Sequence, residues 1–203
     1  MLNTILPWIV RIPGVFIAIM VHEYAKVIVN HRISHDAATR PRPRSNPFKF
    51  VDILGFLIKL IFGYGWAMPV RLNPFGWRNR NMGMLLIFAM PFAVNIIVGS
   101  TAMILAQIIP GRLYMAGVGV LPASAIYWML YHIGRFNFAF AIFNFIPIYP
   151  LNGNLLISAL RPTWGLKITQ YEKVLQIALA FLIILGFAGI IFDPIVNIFI
   201  RPF

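Results

Sequence analysis

The chain contains no cysteine, and only five of its 203 residues are acidic, against seventeen lysines and arginines. The missing thiols exclude disulfides and thiolate metal sites, and they leave the redox compartment open. Charge of either sign is scarce as well. Charged residues make up 11% of the chain, apolar residues 60%, and the mean hydropathy is +0.82, which excludes an ordinary soluble domain. There is no internal repeat and no polar stretch long enough for a second domain, so 1–203 reads as a single membrane-embedded domain.

Long uncharged runs fill the chain instead. Met82 to Gly111, Leu113 to Gly134, Phe136 to Leu160 and Val174 to Phe192 each reach or approach the roughly 20 residues that cross the hydrocarbon core as a helix. A β-barrel would need shorter, alternating segments. Ile5 to Val29 is apolar at its centre and lacks a small-residue cleavage site, so it is expected to be a retained helix and not a signal peptide. The expected fold is an all-α integral membrane bundle of about four to five transmembrane helices plus a short re-entrant or partial-span segment.

The formal charge of +12 could point to nucleic acid, but its distribution does not. Arg32, Arg40, Arg42, Arg44, Lys49, Arg71, Arg78 and Arg80 flank one short apolar segment, Val51 to Trp66. If that segment dips in and returns, both basic stretches lie on one face, and the positive-inside rule makes that face cytoplasmic. The amino terminus then starts outside. The partner this implies is the lipid bilayer, with no nucleic acid, and the expected setting is multi-pass insertion in a prokaryotic plasma membrane. The run Arg40-Pro41-Arg42-Pro43-Arg44 is expected to be extended, because each proline fixes its own φ and restricts its predecessor.

Within the first apolar stretch stands His22-Glu23-Tyr24-Ala25-Lys26. In the zinc-hydrolase motif H-E-x-x-H, two imidazoles at i and i+4 grip one metal while the glutamate activates its bound water. Here the second ligand position carries an ammonium group, which has no lone pair to give. A working enzyme, a relic and a coincidence are all open on this motif alone. A second cluster, Asn144-Phe145-Ile146-Pro147-Ile148-Tyr149-Pro150-Leu151-Asn152-Gly153, falls where a helix of about Val118 to Phe145 must end at its prolines. Taken alone, it reads as an ordinary proline-rich terminus.

Together the two clusters resemble the signature of the site-2 protease family of intramembrane zinc metalloproteases. In that family H-E-x-x-H on one helix is joined by N-x-x-P-x-x-P-L-D-G on another, whose aspartate is the third ligand. Further stretches match in order. Asp36, Ala38, Arg42, Asn46-Pro47, Asp52 and Gly55 resemble G-D-x-T-A…G-R-x-x-x-N-P…D-P-x-G. Gly65-Trp66-Ala67-Met68-Pro69-Val70 with Asn73-Pro74 resembles G-W-A-K-P-V…N-P, and Arg78-Asn79 with Gly83-Met84 resembles R-N…G-M.

The departures fall on the chemistry. The resemblance assigns Glu23 the catalytic carboxylate and His22 a metal ligand, with Lys26 and Asn152 in the places of the other two ligands. One imidazole is not expected to hold zinc, so the family's cofactor is expected to be absent here. The resemblance places Asn144, Pro147, Pro150 and Asn46 along a substrate groove. It also implies an edge strand that pairs with substrate, and Pro41 and Pro43 remove two backbone donors from that edge. Met90-Pro91 stands for the family's G-P, and Asn95 comes one residue late for its asparagine.

Glu23 and Lys26, at i and i+3, are expected to pair, with Lys26 taking over the charge of the missing zinc and donating to the Asn152 carbonyl. His31 and His35 are expected to be solvated or interfacial. His132 lies about 18 Å from Asn144 along a straight helix, so none is expected to substitute as a ligand. Asn137 is expected to hydrogen-bond between helices, and Trp66, Trp77 and Trp128 to be packing or interfacial anchors. Three functions follow. The first is a catalytically silent protease-like protein that binds a transmembrane segment or partner. The others are an active metalloprotease with a rearranged site, and a transporter-like polar pathway through His22, Glu23 and Lys26.

Overall fold

A computed structural model of the chain describes residues 2–35, 46–70, 72 and 74–203. The expectations for Asp36, Ala38, the Arg40–Arg44 run and Asn73 lie outside the described residues. Every regular element among the described residues is helical. Helix α1 (Leu2–Ile9) runs through a turn at Val10–Arg11 into α2 (Ile12–Ile33), whose entry carries Pro13 in the first turn, where no amide donor is lost. A short 3-10 turn (Pro47–Phe50) and α3 (Ile53–Phe62) follow, each started by a side-chain cap: Asn46 accepts from the Phe48 amide and Asp52 from the Gly55 amide. Gly63 ends α3 at φ +91°, a left-handed conformation that suits glycine.

Ten residues of α3 rise about 15 Å, half of a hydrocarbon core, so Val51–Trp66 does not cross as one helix. Beyond it, residues 64–70 run without regular structure beside the end of the 3-10 turn, where the Met68 amide donates to the Phe50 carbonyl. Helix α4 (Arg80–Met115) is capped by Asn79. Then come α5 (Val120–Phe143), α6 (Gly153–Leu160), α7 (Pro162–Gln170), α8 (Glu172–Ile184) and α9 (Phe187–Ile200).

Helices α2, α4 and α5 pack on one another as the central trio, with α6 against α4 and α9 against α5. The second half of α5 is buried on all sides, and Phe136, Phe138, Phe140 and Phe143 link the core around α2 to the core around α8 and α9. Asp193 of α9 pins the carboxyl-terminal helices to this centre, accepting from Tyr64 Oη at 2.7 Å and pairing with Arg135 at 2.9 Å. At the far end of α2, an isolated antiparallel bridge joins Ser34 to Trp77, and Trp77 donates to Asn30 at 2.7 Å. Trp77 is therefore a buried packing residue, whereas Trp128 is half exposed.

By length and composition two helical stretches can cross a membrane, Leu6–Ile33 and Arg80–Met115. A third is added if α8 and α9, bent by 73°, form one span, against the four to five expected. The uncharged runs misplace the breaks. Arg135 lies inside α5, and the Phe136–Leu160 run divides into the end of α5, the turn at 144–152 and α6. The last run is not one straight helix, because Gly186 at φ +84° interrupts it. With 24 residues α5 is long enough to cross, but Tyr127, Tyr131, His132, Arg135 and Asn137 lower its hydropathy, and its neighbours bury its second half.

Candidate functional site

One face of α2 carries Val15, Ala18, Ile19, His22, Lys26 and Asn30, all buried, and Glu23 borders it. The turn after α5 brings Asn152 to this face. Lys26 Nζ lies 2.5 Å from Glu23 Oε1 and donates to Asn152 Oδ1 at 2.7 Å. Glu23 Oε2 accepts from the Val70 amide at 3.3 Å, which ties the non-helical segment to α2. His22 is fully enclosed, with Nε2 2.9 Å from Asn152 Nδ2, Nδ1 3.0 Å from Asn95 Oδ1, and the Phe140 ring edge-on at 4.8 Å.

The direction of each bond follows from chemistry. An ammonium group only donates, so the oxygen of the Asn152 amide faces Lys26 and its nitrogen faces His22. His22 Nε2 therefore accepts. Asn95 Nδ2 donates to Asn137 Oδ1 at 2.9 Å and to the Ala18 carbonyl at 3.1 Å, so its oxygen is left for His22 Nδ1–H. Asn137 closes the series by donating to the Ile133 carbonyl at 2.7 Å. The result is a neutral imidazole held in one tautomer, at the centre of a buried polar chain from Val70 to Asn137.

Asn144 sits at the end of α5, buried, and positions the turn. Its Nδ2 donates to the Phe140 carbonyl at 2.8 Å, and its Oδ1 accepts from the Asn152 amide at 3.2 Å. The Gly153 amide donates to the Asn144 carbonyl at 2.7 Å. Pro150 lines a cavity of about 540 Å³ that reaches Lys26 and Asn152. The cavity lining does not include Asn46 or Pro147. Asn46 is an exposed helix cap, and Pro147 is exposed in the turn. His132 on α5 makes ring contacts with Trp128, Tyr131 and Phe136 and has no hydrogen bond to the His22 group.

The donor set can be tested against zinc, which takes thiolate, imidazole or carboxylate ligands. His22 is the one imidazole in the group, and its free lone pair accepts from Asn152. Lys26 presents an ammonium group, which has no lone pair to give, and Asn152 an amide whose oxygen is turned to that ammonium. The carboxylate of Glu23 is itself paired. These residues do not fit a zinc ion.

Asn95 and Asn137 are the members of the group whose link to His22 the sequence reading missed. The available signal was a pair of amides in otherwise apolar membrane-type helices, where a lone amide needs a partner. Neither a protein-family model nor a solved structure matches the chain. A curated protein of Bacillus subtilis (strain 168), named "Putative zinc metalloprotease YwhC", is 26% identical over 186 residues, which cover 89% of this chain and 83% of that protein. The chain is thus similar, over most of its length, to a protein named as a putative zinc metalloprotease.

Proposed function

We propose that this chain is a site-2-protease-like multi-pass protein of a prokaryotic plasma membrane that does not hydrolyse peptide bonds and instead holds a transmembrane segment or partner beside its former metal centre. The observation that carries this reading is the mutual saturation of Glu23, Lys26, Asn152 and His22. A charge of +1 on Lys26 stands where a metal would neutralise Glu23, and the Asn152 amide occupies the imidazole lone pair. The cavity beside the group supports the binding half of the proposal: Val70, Trp77, Tyr149, Pro150, Asn152 and Asn154 are among its lining residues. The oxygen of Asn154 is buried there without a donor, a vacancy that an amide N–H of a bound chain would fill.

Restoring the ligands tests the frame. The double variant Lys26→His, Asn152→Asp places an imidazole and a carboxylate at the two positions that already converge on His22. It is expected to bind one zinc per chain, and a third substitution, His22→Ala, is expected to remove it. A correctly folded double variant that gains no zinc would contradict descent of the site from a metal centre.

A further inference from the structure

At the opposite end of α2 from Arg32, the turn between α1 and α2 and the first half of α5 enclose a cavity of about 610 Å³. Trp8, Val10, Arg11, Ser124, Trp128 and His132 are among its lining residues, and the lining includes no carboxylate. Among the described residues no carboxylate pairs with Arg11. Its guanidinium donates one long hydrogen bond, 3.4 Å, to the Leu60 carbonyl and sits 5.3 Å from the Trp8 ring centre. Most of its five donors are left for something else. His132 Nδ1 is buried without a partner and belongs to the same cavity.

We propose that this cavity binds the phosphate-bearing headgroup of an anionic phospholipid. An arginine next to a membrane-type helix is costly until an anion meets it, and phosphate matches its planar fork bidentately. The surroundings favour a lipid over a free ion. Trp8 and Trp128 are 43% and 49% exposed at the cavity, with Ile9, Leu121 and Tyr127 exposed nearby, the aromatic and aliphatic surface that proteins place at the headgroup level. Leu6, Val10 and Ala125 offer apolar wall to the acyl chains. The inference rests on the membrane reading and is independent of the fate of the metal site.

The test is native mass spectrometry of the full chain released from nanodiscs that hold phosphatidylglycerol and phosphatidylcholine in equal amounts. The retained lipid is expected to be enriched in phosphatidylglycerol by about tenfold, because the choline cation of phosphatidylcholine offsets its phosphate and repels Arg11, whereas phosphatidylglycerol keeps its negative charge. Arg11→Gln is expected to return the ratio to that of the bilayer. Ser124→Trp, which fills the cavity and keeps the cation, is expected to do the same and serves if Arg11→Gln does not fold. Equal retention of both lipids by the wild type would overturn the proposal, as would enrichment that survives both variants. Loss of the enrichment in excess inorganic phosphate, with phosphate retained in its place, would assign the site to the free ion and overturn the lipid assignment.

Discussion

Lys26 sets the polarity of its whole neighbourhood, because an ammonium group cannot accept a hydrogen bond and each amide beyond it must orient accordingly. Removing the ammonium alone strands a buried carboxylate. Lys26→Met is therefore expected to destabilise the protein by about 3–5 kcal/mol, whereas Glu23→Gln with Lys26→Met, which removes both charges, is expected to lie much nearer the wild type. Denaturant unfolding in detergent checks the order, and a double variant no better than the single would contradict the pairing. Asn95→Ala leaves the His22 Nδ1–H without an acceptor and is expected to cost about 1–3 kcal/mol in the same measurement. His22, Glu23 and Lys26 were legible in the sequence because their spacing follows a chemical pattern, and Asn152 only through the resemblance of its proline-rich cluster to a family motif. Asn95 was not. Its link to His22 depends on how α4 lies against α2, which no spacing along one helix encodes.

The central packing of α2 on α5 depends on Gly14, where an added Cβ would come 2.8 Å from the His132 backbone. No rotamer relieves a contact with main chain. Gly14→Leu is expected to lower stability by about 1–3 kcal/mol or more through overpacking. Gly111→Leu is the control, because nothing lies within 4 Å of a Cβ there, and thermal unfolding should separate the two. Element boundaries were legible where a residue has a local reason to stop a helix. The end of α5 near Asn144 and the short reach of α3 are of this kind. Uncharged runs misled where burial overrides the run. Arg135 does not interrupt α5, since Asp193 answers its charge from α9, and Gly186 bends a stretch that composition makes continuous.

At the scale of the molecule, the cations Arg32, Arg78 and Arg80 gather at one end of α2 and α4, joined by the Ser34–Trp77 bridge, while Arg11 and the start of α5 lie at the other. The positive-inside rule turns this asymmetry into a topology. The chain has no native cysteine, so one introduced thiol reports unambiguously. In intact cells, Met115→Cys at the exposed end of α4 is expected to react with a membrane-impermeant thiol reagent, and Asn81→Cys at its start is expected to react only after lysis. The reverse pattern would invert the topology.

The claim that an ion pair and an amide have replaced a metal meets its most direct test in the metal content of the wild-type protein, purified without chelators. Less than a tenth of a zinc per chain is expected, unchanged by His22→Ala; about one zinc per chain, lost on His22→Ala, would contradict the account.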